Sequence, residues 1–179
     1  KVQVLIETVG TKEWSKRLGI ASDHTQRYRL DGGKLVLEDD SLGQEDSTQA
    51  STLSDFIRWG AKNYPADRNL LIFWDHGAGP VYGFGYDENQ VHEETLTMDQ
   101  MRHALQNGGI YFDVIGMDCC IMSSMELCLG LQDYCDYLIL SEDFETGIGW
   151  SYTGWLRALE DNTSPEAPEL DRRRYGFCQ

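Results

Sequence analysis

The sequence predicts an α/β fold with a mostly parallel central sheet and helices on both faces. Three observations predict it. Strand-like and helix-like segments alternate over the C-terminal two-thirds, an order whose right-handed crossovers build a parallel sheet. The segments 69–74 and 111–117 read as buried strands, the first a continuous apolar run of the kind covered on both faces. The segments between them place apolar residues at helical spacing.

The elements follow in chain order. Residues 2–9 read as a buried strand. Residues 28–30 and 34–37 flank Asp31-Gly32-Gly33, a hairpin signal. Residues 38–50 are acidic and polar, an expected exposed loop. Thr52 or Ser54 is expected to cap a helix toward Tyr64, with Leu53, Phe56, Ile57 and Ala61 on its apolar face and Pro65 stopping it. The strand 69–74 ends in Asp75-His76-Gly77-Ala78-Gly79-Pro80, where glycine and proline force a turn. Residues 81–95 show little periodicity and read as a loop. Thr97 caps a second helix carrying Met98, Met101 and Leu105 on one face, and strand 111–117 then ends at Asp118-Cys119-Cys120. Ser123 or Ser124 opens a helix through Met125, Leu127, Cys128 and Leu131. Strand 137–140 runs into the acidic Ser141-Glu142-Asp143-Phe144-Glu145, and 150–159 reads as helical. Residues 1–162 form one expected domain. Residues 163–179, polar and carrying Arg172-Arg173-Arg174, read as a linker or the start of a further region.

Composition narrows the function. The 179 residues carry 15 basic and 30 acidic side chains, a net charge of −15. That balance argues against nucleic acid as a partner, because phosphate binding needs concentrated Lys and Arg. No apolar run approaches the roughly 18 residues of a membrane span. The chain opens mid-strand at Lys1 with no visible signal peptide, so it reads as a fragment or a processed product. Its five cysteines, an odd number without regular spacing, make a poor disulfide framework, and none forms a Cys-x-x-Cys zinc motif.

Active sites of open parallel sheets lie beyond the carboxyl ends of the strands. Three motifs fall there: Asp75-His76-Gly77, Asp118-Cys119-Cys120 and Ser141-Glu142-Asp143. A cysteine nucleophile works as a thiolate, and an imidazole can take its proton. One crossover would bring His76 beside Cys120. Gly77 lacks a side chain, so its N–H could join that of Cys120 in an oxyanion hole. Taken singly, a histidine at a strand end is more often a polar loop residue and a cysteine more often core. Their shared place makes the candidate pair. His24, His92 and His103 have no partner motif and are expected to face solvent. The acidic run 141–145 reads equally well as a solvated loop.

Residues 71–79, Leu-Ile-Phe-Trp-Asp-His-Gly-Ala-Gly, resemble the histidine motif of the clostripain family of cysteine peptidases. Residues 112–122, ending Asp118-Cys119-Cys120-Ile121-Met122, resemble that family's cysteine motif, and residues 136–152 resemble a third block. Phe56, Trp59 and 61–66 are also typical of it. The resemblance implies a caspase-like three-layer α/β/α sandwich, shared with gingipains, legumains and separases, with the first family strand upstream of Lys1. It implies peptide hydrolysis after basic residues, arginine ahead of lysine. It assigns the nucleophile to Cys120 rather than Cys119, since the second residue after Asp118 matches the family cysteine. It places Asp118 in the pocket for the basic side chain, with Asp143 a second acid. Substrates would be peptides or proteins with basic residues. It further implies a secreted or periplasmic bacterial protein that associates with a missing N- or C-terminal segment, and calcium as a cofactor in some members, with no EF-hand loop or ligand set to assign here.

The sequence departs from the family pattern at Cys119, where alanine is usual, and at Thr146, where proline is common. No Lys or Arg lies between Arg68 and Arg102, so self-cleavage within 81–95 is not expected. The triple arginine 172–174 is the alternative activation site. Two other readings stay open: a non-catalytic caspase-like binding domain, and a metal-binding domain using Cys119, Cys120, His76 and nearby acids.

Overall fold

Two kinds of strand pattern give two kinds of sheet. The computed structural model describes residues 1–91 and 94–162. The N-terminal strands are β1 (Leu5–Thr8), β2 (Gln26–Asp31) and β3 (Lys34–Asp39), joined in order as an antiparallel sheet. The β2–β3 turn is Gly32-Gly33, and both residues have positive φ, 55° and 77°. Two such positions in a row are what a tight, right-twisted hairpin needs.

Helix α1 (Ala50–Asn63) leads to β4 (Leu70–Trp74). The short α2 (Gly79–Tyr82) and α3 (Met98–Gly108) lead to β5 (Phe112–Asp118), then α4 (Met125–Leu131), β6 (Cys135–Ile139) and α5 (Tyr152–Asn162). Strands β4, β5 and β6 pair in that order, all parallel, as the crossover argument requires. The register sets Leu71 beside Ile115 and Phe73 beside Met117, so these four side chains share one face. That face meets Ile57 of α1, Met101 and Leu105 of α3, and Leu127 and Leu131 of α4 in a single buried cluster. Each such side chain contributes about 1.5–3 kcal/mol when removed from water.

The opposite face is less covered. Trp150 lies over Gly116, where an added Cβ would be 2.9 Å from the indole. Leu70, Trp74 and Ile139 stay exposed, Trp74 at 63%. The expectation that 69–74 is covered on both faces is therefore corrected: its burial alternates along the strand.

Two caps differ in kind. Thr97 closes a full capping box with Gln100 at the start of α3, as expected, and Ser124 caps α4 by accepting from the Leu127 N–H at 3.2 Å. Helix α1 starts earlier than expected, with Gln49 at the N-cap accepting no capping bond and donating through its side-chain amide to Asp46 instead. Its first turn is organised by Asp46, whose carboxylate accepts from the Thr48 N–H and hydroxyl at 2.8 and 2.6 Å. Thr52 and Ser54 are buried inside the helix instead. Residues 163–179, with the expected linker, Cys178 and the triple arginine, and His92 lie outside the described residues. No described helix is long and apolar enough to cross a membrane.

Candidate active site

The β4–β5 register determines what meets at the sheet's carboxyl edge. Trp74 pairs with Asp118, so His76 and Cys120 each stand two residues beyond the last pair, on neighbouring strands about 4.8 Å apart. The two loops touch at Gly77. A Cβ built there would sit 2.1 Å from the Cys120 carbonyl oxygen and 3.1 Å from the Cys119 sulfur. No side chain fits between them, so the glycine is a steric requirement.

The histidine loop is folded back on itself. The Gly85 N–H donates to the His76 carbonyl at 2.7 Å, and the Ala78 N–H to the Gly83 carbonyl at 2.9 Å. These bonds flank the Gly77–Phe84 bridge. In such a pair the bridging residue's own N–H turns away from its partner, so Gly77 keeps its donor for another acceptor. The Asp75 carboxylate accepts from the His76 backbone N–H at 2.6 Å. Loss of hydration, against these backbone donors, raises the Asp75 carboxyl above its usual range. The His76 ring stacks on Tyr86, centroids 5.7 Å apart, and lines an open cavity of about 470 Å³ shared with Lys12, Glu13 and Glu88. Among the described residues no carboxylate bonds the imidazole, so the pair has no third member of that kind.

The two adjacent thiols are not equivalent. Cys119 points into the core at 2% exposure, and burial pushes its thiol up to about 12. Burial in apolar surroundings disfavours its thiolate, the reactive form. Cys120 is only partly buried, and its sulfur accepts from the Glu145 backbone N–H at 3.3 Å. The next residue, Ile121, has φ 48°, a left-handed conformation rare for a β-branched side chain. Such strain persists only where surroundings impose it. Here the Ile121 N–H donates to the Asp143 carbonyl at 3.1 Å, and the Ser123 N–H to the Ser141 carbonyl at 2.8 Å.

Asp118 lies beneath this loop at 3% exposure. Its Oδ2 accepts from the Trp150 N–H and the Tyr152 hydroxyl, both at 2.9 Å. Burial and this carboxylate together push the Tyr152 phenol well above its ordinary value. The other oxygen, Oδ1, is buried with no partner among the described residues. Gly149 makes the cover possible, because a Cβ there would lie 2.7 Å from Asp118 Oδ2. Asp143 adjoins the cysteine loop through its backbone, but its exposed carboxylate accepts from the Phe144 N–H at 2.7 Å.

The structure thus brings His76, Gly77, Cys120 and Asp118 to one edge and leaves the Asp143 carboxylate engaged in its own loop. Sequence reasoning missed Tyr86, Glu145 and Tyr152 as contacts of the site. Only the aromatic and acidic character of 141–152 hinted at the last two. Of the other histidines, His103 is exposed, while His24 is half-buried and bonded to Asp23 at 2.7 Å, a partner not foreseen. Among the described residues no group of three or more His, Cys, Asp or Glu could hold a metal ion.

Comparison with known proteins identifies the family and the fold. A secreted C11 cysteine protease from Bacteroides thetaiotaomicron, solved with an irreversible peptide inhibitor, superposes with a TM-score of 0.64 at 26% identity, covering 76% of this chain and 40% of that one. A second structure from that organism, of the secreted C11 cysteine protease "iotapain", gives 0.68 at 19% identity over 88% and 46%. An inactive zymogen C11 protease from Parabacteroides distasonis gives 0.58 at 23% over 73% and 38%. The chain therefore spans less than half the length of each. No curated protein matches the sequence. The sequence model of the clostripain family, Peptidase C11, matches residues 6–174. With that match over most of its length, and with the α/β fold of the C11 proteases, the chain belongs to the clostripain family.

Proposed function

We propose that this chain carries the catalytic centre of a cysteine endopeptidase that cuts after basic residues, arginine ahead of lysine. One observation carries the reading: the Trp74–Asp118 register sets His76 and Cys120 at equivalent positions, with Gly77 packed on the Cys120 backbone. In this reading the Cys120 thiolate attacks the scissile carbonyl carbon. The Gly77 and Cys120 N–H groups hold the oxyanion, and losing one such donor costs about 10²- to 10³-fold. The His76 imidazolium gives its proton to the leaving amine, leaving a thioester on Cys120. Neutral His76 then takes a proton from water as it attacks the thioester. The peptide acid leaves, and the thiolate–imidazolium pair returns.

The unpartnered, buried Oδ1 of Asp118 supports a cationic first pocket. A guanidinium reaching it would make a strong charge-assisted bond, and it needs Trp150 and Tyr152 to yield. Asp143 acts in this reading as an outer acid that attracts the cation from the rim. The printed descriptions of the Bacteroides neighbours support a secreted location.

A second reading, a non-catalytic domain of the same fold, is favoured by the closed cover over Asp118. Hydrolysis of arginyl and lysyl peptides separates the two. The intact protein and Cys119→Ala should cleave the arginyl peptide, while Cys120→Ala and His76→Ala should lose at least about 10³-fold. Asp118→Asn should remove the preference for arginine over an uncharged residue. Activity surviving in Cys120→Ala would end the assignment of Cys120 as nucleophile, and no hydrolysis by the intact protein would end the protease reading.

A further inference from the structure

The loop after β6 does more than flank the site. Beyond Cys120 the chain runs antiparallel to residues 141–145. Ser123 bonds Ser141 and Ile121 bonds Asp143, each through N–H to carbonyl. The next rung falls opposite Glu145, and its place is taken by a side chain: the Glu145 N–H donates to the Cys120 sulfur at 3.3 Å. We infer that the Glu145 backbone amide is a third catalytic group, a fixed donor that stabilises the Cys120 thiolate in place of an additional charged residue. The inference rests on Cys120 being the nucleophile.

A hydrogen bond to the charged form of a group favours that form. The opposing contact is the thiol directed at the Glu145 carbonyl at 4.0 Å, a long and weak one. The titratable groups of the loops around Cys120 come from three directions. His76 and Asp75 stand on the loop after β4, Asp118 and Cys119 precede it on the end of β5, and Glu145 faces it from the loop after β6. Cys119 is directed into the core, and the Asp118 carboxylate accepts from Tyr152 and Trp150, so no described contact makes either a donor to the sulfur. The amide is the one donor that the described contacts place on it. The segment that carries the donor runs into a turn closed by the Gly149 N–H on the Thr146 carbonyl at 2.9 Å, and the Trp150 indole makes a long contact to the Glu145 carboxylate at 3.5 Å. Because the donor is main chain, residue 145 need not be acidic.

Selective ¹⁵N-glutamate labelling of the intact protein tests the contact directly. The Glu145 amide proton should shift with the same pH midpoint as the rate of iodoacetamide alkylation at Cys120, and the shift should vanish in Cys120→Ser. Glu145→Ala keeps the amide and removes the carboxylate, so its alkylation midpoint should stay or fall. Glu145→Pro removes the donor and should raise the midpoint by about one unit relative to Glu145→Ala, with hydrolysis of an arginyl peptide reduced about tenfold. An amide proton that does not move while Cys120 titrates overturns the inference. So does faster hydrolysis in Glu145→Pro, which would make the contact an inhibitory cover. Retained hydrolysis in Cys120→Ala would instead sink the nucleophile assignment itself, a separable outcome.

Discussion

At position 77 a methyl group would overlap the Cys120 carbonyl oxygen at 2.1 Å. That overlap cannot be relieved by a rotamer change, because both atoms belong to backbone or Cβ. Gly77→Ala must push the histidine and cysteine loops apart. Displacements of about 1 Å in a catalytic constellation cost on the order of 10²-fold. We therefore expect kcat/KM for an arginyl peptide to fall by about that factor while the far-UV circular dichroism stays native. Unchanged turnover would show that the two loops do not work as a unit. The requirement for glycine was half legible: the sequence suggested open backbone for an oxyanion, and the structure adds that no side chain fits. The thiols were legible only through family resemblance, since Cys119 and Cys120 are chemically identical on paper. Burial separates them, and burial is a property of the packed sheet end. Glu145 was not legible as a sulfur contact, because a backbone N–H leaves no mark on residue identity.

Among elements, the parallel β4–β5–β6 sheet and the helices α3 and α4 between its strands were readable from apolar periodicity, whereas the short α2 falls where the sequence reads as turn and loop. The reason is simple: the face that carries Leu71, Phe73, Ile115 and Met117 has no other way to leave water. The capping of α3 was also readable, since Thr97 and Gln100 satisfy the first-turn donors locally. The start of α1 was not. Its first turn depends on Asp46, four residues before the helix, whose carbonyl accepts from the Thr52 hydroxyl at 2.7 Å, and on the burial of Thr52 and Ser54. The uncovered outer face of β4 was equally hidden. A run such as Leu-Leu-Ile-Phe-Trp looks the same whether one side or both are covered, and only tertiary packing decides. The register within the sheet is what turns local patterns into a site, because a one-residue slip would carry His76 away from Cys120.

In the whole molecule, a buried charge pair joins β1 to β2, and its arginine also reaches the aromatic rings of α1. Arg27 donates to Glu7 at 2.7 Å and lies over the rings of Phe56 and Trp59, at 6.0 and 5.3 Å. Burial outweighs the arginine and pushes the Glu7 carboxyl up from 4.5 to about 7. Between those two values the folded form keeps a proton that the unfolded chain has lost, so this group's contribution to stability falls as pH rises through the window and levels off above it. Thermal melts should show that loss between about pH 4.5 and 7, and Glu7→Gln should flatten it. An equal slope in the variant would place the titration elsewhere. Strand β1 was readable as an element, but its charge pairing was not, because residues 7 and 27 meet only once the strands pair.

In the proposed mechanism residues 76 and 120 work as one unit. This is tested most directly by exposing the intact protein to an arginyl peptide bearing a thiol-reactive ketone and mapping the adduct by mass spectrometry. The expected result is a single adduct on Cys120, formed equally in Cys119→Ala and slowed at least about a hundredfold in His76→Ala. An adduct on Cys119 or Cys128, or one on Cys120 that forms as fast without the imidazole, would contradict it.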